Sequence, residues 1–213
     1  MTILSFRENL NKKIYRLTRR LDLTASSVVT LHPDDIPEQY TSLPTNFCGR
    51  ALSGEALYKV AGQLPGVDKN FVTRAIKLNN WCYAIFAGDQ VASAGWYAPS
   101  TPVSETVARF SSDYCYMYRG FTHQDFRGHR LHGFGLTHAC AIAVNHGAKK
   151  GLISLIEYQN HQSKRSIERL GFKFQATLVS HKEGIHRRSI HSPSCKRLGF
   201  ELIAADTRTD TLF

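Results

Sequence analysis

Between Asp113 and Tyr158 the hydrophobic pattern changes period twice, and this constrains the fold more than anything else in the chain. "DYCYMYRGFT" (Asp113–Thr122) is dense in aromatic residues and has the character of a strand. From about Arg130 to Asn145, the residues Leu131, Phe134, His138, Ala141 and Ile142 share one helical face. Gly147 follows, where a left-handed cap suits glycine. "GLISLIEY" (Gly151–Tyr158) is a nearly continuous apolar run, the kind of strand covered on both faces. Strand, helix and strand in that order predict a right-handed parallel crossover. The expected fold class is therefore α/β (α+β), a mixed central β-sheet with helices on both faces.

The flanking sequence extends this unit. "WCYAIFAGDQVASAGWYA" (Trp81–Ala98) predicts two strands joined at Gly88-Asp89, a strong hairpin signal. A loop rich in Ser, Thr and Pro follows it. Asn160 is placed to cap a short helix through Leu170, closed by Gly171, and "KFQATLVS" continues as a strand. "RLGFKF" (Arg169–Phe174) is echoed by "RLGFEL" (Arg197–Leu202), read as two similar helix-to-strand exits rather than a repeat. Near the start, Leu10, Ile14, Leu17 and Leu21 recur at helical spacing among Lys12, Lys13, Arg16, Arg19 and Arg20. Residues 1–30 are accordingly expected to be an amphipathic, basic helical extension, either packed on the domain or docking on an acidic or lipid surface. Pro33, Pro37 and Pro44 mark a loop-rich passage. A single domain over 1–213 is the expectation for this length.

The cysteines Cys48, Cys82, Cys115, Cys140 and Cys195 are far apart and odd in number, which argues against a disulfide framework. The ten histidines lack ligand spacing, so no metal is expected. No apolar run approaches the roughly 20 residues that cross a bilayer. With no signal-peptide pattern, a cytoplasmic location is expected. The formal net charge of +10 favours an anionic partner: nucleic acid, membrane, an acidic carrier protein or a phosphorylated cofactor.

A helix start carries partial positive charge, so each uncompensated cation there costs about 0.3–1 kcal/mol. "THQDFRGHRLHGFG" (Thr122–Gly135) nevertheless crowds Arg127, His129, Arg130 and His132 at such a start. An anion bound on the free backbone N–H groups would turn this liability into pairing. Exposed arginines pointing into water are the plainer alternative. The strand "YMYRGFT", the turn "DFRGHRL", the strand exit "EYQNHQS" and the helix exit "RLGF" together resemble the GCN5-related N-acetyltransferase (GNAT) superfamily, over about 81–180.

That resemblance implies a core binding acyl-CoA or acetyl-CoA. In the family, an Arg/Gln-x-x-Gly-x-Gly/Ala turn grips the pyrophosphate. Here it corresponds to Arg127, Gly128, His129, Arg130, Leu131 and His132, running into Gly133. Arg130 and His132 stand where glycines are usual. Phe121 and Thr122 would line the pantetheine arm through backbone groups. Asn160 and Ser163 match the family's asparagine and the small residue after it; both also suit simple helix capping.

The implied reaction is acyl transfer to a small-molecule amine, with an acyl carrier protein as a second donor class. A backbone N–H near Phe121 or Thr122 would meet the oxyanion, a contribution of roughly 2.7–4 kcal/mol per donor. The family's general-acid tyrosine falls at Ile167, which has no proton to give. A thiol of pKa about 8.5 leaves without much help. For the base, the order is Glu157, at a strand's carboxyl end, then Tyr118, then His123, each with an alternative structural job. Tyr114, Tyr116 and Tyr118 are core or the wall of an acceptor pocket. The basic run Ser180–Arg197 is a solvated loop or an acceptor contact. A non-catalytic acyl-CoA binder is the rival reading. A nucleic-acid binder is less favoured, because the basic runs lack interleaved aromatics.

Overall fold

In this computed structural model the described residues are 23–100, 108–181, 189–191, 194–199 and 201–202. The helix expected over 6–21, part of the Ser/Thr/Pro loop and much of the basic run after Ser180 lie outside them.

The chain opens with β1 (Leu23–Leu31), whose Ser, Thr and Val residues suit a pleated surface. This corrects the expectation of a helical extension to residue 30, since Leu23 to Thr30 belong to the central sheet. Short 3-10 turns at Pro33–Asp35 and Glu38–Tyr40 follow, then β2 (Cys48–Leu52) and a 3-10 helix, Gly54–Val60. Helix α1 (Lys69–Lys77) is capped by Asp68, whose carboxylate accepts from the Phe71 amide at 2.7 Å. The hairpin appears as β3 (Trp81–Ala87) and β4 (Gln90–Ala98), with Gly88 at φ +59° in the turn. β5 (Ala108–Arg109) precedes β6 (Cys115–Thr122), the aromatic strand. Helix α2 is Leu131–Asn145, β7 is Leu152–Glu157 and α3 is His161–Glu168. β8 (Lys173–His181), β9 (Ser189–His191), α4 (Ser194–Arg197) and β10 (Glu201–Leu202) complete the order.

Eight strands form one sheet, ordered β2-β3-β4-β6-β7-β1-β8-β9, and β5 pairs with β10 separately. Every pairing is antiparallel except β6 with β7, the crossover that α2 connects. β7, α3 and β8 also run strand-helix-strand, but β1 lies between the two strands, antiparallel to both. The sheet separates two cores, as alternation requires. Trp96, Tyr116, Tyr118 and Ile153 face Phe71 of α1, whereas Tyr97, Met117 and Leu152 face Leu131, Phe134 and Leu136 of α2.

α2 is buried almost all round rather than on the single face its sequence suggests. The Pro-rich passage covers its outer side: Tyr40 meets Phe134 edge-on at 5.8 Å, and Phe47 packs on Phe126 and His129. Gly133 makes this approach possible, because a Cβ there would stand 2.6 Å from the Tyr40 ring and 2.8 Å from a Leu170 methyl. Among the described residues, no helix is long and apolar enough to cross a membrane.

Candidate functional site

The parallel pair β6–β7 holds for only three steps, Cys115–Leu152, Tyr116–Ile153 and Met117–Ser154. Beyond Met117 the strands part, each keeping its other neighbour, β4 or β1. Ser154 marks the fork: its hydroxyl donates to the Met117 carbonyl at 2.9 Å, satisfying the last ladder group before the strands diverge. On the β4 side, Arg119 and Gly120 oppose Gly95 alone, so β6 carries a bulge. Arg119 adopts φ +51° there, donates to the Gly66 carbonyl at 2.9 Å and lies over the Phe71 ring. Among the described residues, the pairing of β6 with β7 ends at Met117.

The helix start lies just past that open edge. Among the described residues, the backbone N–H groups of Gly128, His129, Arg130, Leu131 and His132 have no hydrogen-bond partner. Five consecutive free donors opening a helix form an anion cradle. Arg127, His129 and Arg130 are exposed around it. The amides of Arg127 and Gly133 are occupied, by the Gln124 carbonyl at 3.3 Å and the Arg130 carbonyl at 2.9 Å. The free amide donors of the turn therefore run from Gly128 to His132. Arg130 holds φ +58°, the left-handed conformation that glycine adopts freely at this position of the motif.

His132 occupies the second glycine position. Its ring lies against β6, its Cε1 2.6 Å from where a Cβ on Gly120 would be. It retains some solvent contact, yet enough protein surrounds the imidazole to hold its pKa down at about 4.

The other expected site residues divide. Asn160 caps α3, its side chain accepting from the Ser163 amide at 3.0 Å. The Phe121 carbonyl already accepts from the Ser93 hydroxyl at 2.8 Å, and that hydroxyl lies 3.1 Å from Thr122 Oγ1. Glu157 is exposed at the end of β7, with Gln159 Nε2 3.3 Å from its Oε2. Tyr118 is buried and donates to Asn80 Oδ1 at 2.6 Å. His123 accepts from the Asp125 amide at 3.3 Å and contacts Gln90, a local cap outside the fork. Ile167 is buried in the α2-side core. Burial pushes the Cys115 and Cys140 thiols up to about 12 and about 11, which keeps them protonated. Among the described residues, no group of His, Cys, Asp and Glu is placed to hold a metal.

The sequence reading missed the Arg119 bulge, the Ser154 brace and the seating of His132 on Gly120. Gly120 was the available signal, since a lone glycine inside a strand points to a bulge or a close approach. A separate cavity of about 390 Å³ opens at the other end of the sheet, walled by Trp81, Tyr114, Ile142 and His146. It is remote from the free amides, and those amides define the candidate site.

Several solved structures similar to this chain in fold are described as GNAT proteins. A GCN5-related N-acetyltransferase-like protein from Streptococcus suis aligns with TM-score 0.51 at 14% identity, over 76% of this chain and 64% of that one. A GNAT-family acetyltransferase from Colwellia psychrerythraea gives 0.52 at 15%, over 73% and 55%. A tandem GNAT protein from the clavulanic acid biosynthesis pathway gives 0.51 at 13%, over 72% and 51%. The chain thus spans between half and two thirds of the length of these proteins, and what it shares with them is the GNAT fold. No protein-family model matches the sequence, and no curated protein matches it.

Proposed function

We propose that the protein is an N-acyltransferase that moves an acyl group from acyl-CoA to an amine. The observation carrying this reading is the run of five unpartnered amides, Gly128 to His132, beside a strand edge left open by the fork. A diphosphate satisfies the amides, and Arg127 and Arg130 add charge pairing to it. An extended arm of amide groups suits the β6 edge beyond the fork, which offers strand-type hydrogen bonds between Arg119 and Thr122. The thioester then lies within the fork, and a β6 N–H is the candidate oxyanion donor. A pantetheinylated acidic carrier presents the same arm and suits a chain of net charge +10.

Isothermal titration with coenzyme A tests the binding step: saturable binding weakened by salt supports it, and no affinity for coenzyme A or a pantetheinylated carrier rejects it. Ile167 favours a second reading, an acyl-CoA binder without turnover, because a buried aliphatic stands where the family resemblance places a proton donor. Amine-dependent thiol release from acetyl-CoA, measured across a panel of amines, separates the two. Release excludes the passive binder.

A further inference from the structure

The turn departs from glycine at two positions, and the strand opposite His132 carries a glycine of its own, Gly120. Close approach of a helix start to a strand needs one side of the contact to be bare. Here the bare residue is Gly120 on β6, and the side chain is on α2. The imidazole meets the strand edge-on through Cε1, and Nδ1 and Nε2 are each 3.4 Å from the position of a Gly120 Cβ. The two nitrogens therefore flank Gly120 on its α2-facing side. Neither has a hydrogen-bond partner among the described residues. At this same stretch, β6 has lost its β7 ladder.

Resting on the proposed acyl-CoA reading, we infer that His132 is a donor-binding residue. Its imidazole, seated on Gly120, hydrogen-bonds an amide of the donor's arm where that arm runs along β6 between the phosphates and the fork. The low pKa keeps the ring uncharged at neutral pH. An uncharged imidazole carries one N–H and one bare nitrogen whichever tautomer is present, matching an arm of alternating carbonyls and N–H groups. Phosphates go instead to the amides of Gly128 to His132. The histidine is then a substitute for close backbone approach: the arm meets a ring held at fixed height on a bare strand.

The test separates arm from nucleotide. Wild type, His132→Ala and Gly120→Ala are titrated with coenzyme A and with its adenosine bisphosphate fragment, which lacks the arm. His132→Ala should weaken coenzyme A about tenfold, the scale of one lost hydrogen bond, and change the fragment less than twofold. Gly120→Ala, which displaces the ring, should weaken coenzyme A selectively, and adding it to His132→Ala should cost nothing more. Nitrogen NMR of the wild-type ring should shift with coenzyme A and stay still with the fragment. Equal losses for both ligands, or additive losses in the double variant, overturn the assignment of His132. So does a wild type that binds coenzyme A no better than His132→Ala, while leaving the acyl-CoA reading intact. A wild type that binds neither ligand overturns both.

Discussion

Replacing Arg130 with glycine should make the unliganded protein more stable. Arg130 caps α2 at φ +58°, a conformation that costs a residue with a Cβ about 1–2 kcal/mol. Glycine escapes that cost but gives back roughly 0.5–1 kcal/mol in chain entropy. Removing a cation from the helix start adds about 0.3–1 kcal/mol. The Arg130 side chain is exposed and has no partner among the described residues, so truncation loses no contact there. Mid-range values give a net gain of about 1.4 kcal/mol, or roughly 3–6 °C in Tm for a chain of this size. Arg130→Ala is the control: it removes the charge and keeps the strain, so its gain should be limited to the charge contribution. Differential scanning fluorimetry at low ionic strength measures both. Coenzyme A affinity of Arg130→Gly should fall only several-fold, because the free amides remain. A Tm for Arg130→Gly at or below that of Arg130→Ala would refute the backbone argument. Complete loss of coenzyme A binding would show that the guanidinium, not the amides, anchors the anion.

Acid should destabilise the fold through His132. A group titrating near 6.5 when unfolded and about 4 when folded contributes its full stability above pH 6.5 and loses it as pH falls toward 4. The loss is on the order of 2–3 kcal/mol, allowing for the ring's partial solvent contact; urea unfolding of wild type and His132→Ala across that window should show a flatter profile for the variant. Gly171→Ala should cost more than about 2 kcal/mol, since φ is +90° and the new Cβ would meet the Asp35 carbonyl, and a marked drop in Tm checks this. Glu157→Gln should depress turnover more than coenzyme A affinity; an unchanged pH-rate profile removes Glu157 as base. Tyr118→Phe should destabilise by roughly 1 kcal/mol through loss of the bond to Asn80, and wild-type turnover in that variant would leave Tyr118 a purely structural role.

The central crossover was legible because its signals are local. The aromatic run of β6, the apolar run of β7 and Gly147 at φ +102° after α2 each speak through neighbouring residues. Asn160 as a cap was legible for the same reason. β1 was not: "LTASSVVTL" mixes Ser and Thr among its apolar residues, and its partners lie more than a hundred residues away in β7 and β8, so nothing nearby announces a buried strand. α1 is only nine residues long, too short for its apolar spacing to stand out, though Asp68 was a usable cap signal. At the site, the chemistry of the turn could be read from Arg127 to His132. Which of its amides are free could not, because that depends on Gln124 and Arg130 supplying the carbonyls that occupy Arg127 and Gly133. The match of His132 to Gly120 is a tertiary fit between two residues that look anomalous singly.

Strand β1 has a consequence for how the protein is made. During synthesis Leu23–Leu31 leave the ribosome well before β7 and β8, the two strands they bridge. Until Leu152–Glu157 have emerged both edges of this segment lack their mates, and until Lys173–His181 follow one edge still does, so the sheet cannot close around it. Such long-range pairing is slow and exposes sticky edges on the way. Closure of the sheet in the cell should therefore wait for β8, and chain termination before residue 173 should yield an aggregation-prone fragment rather than a smaller stable domain.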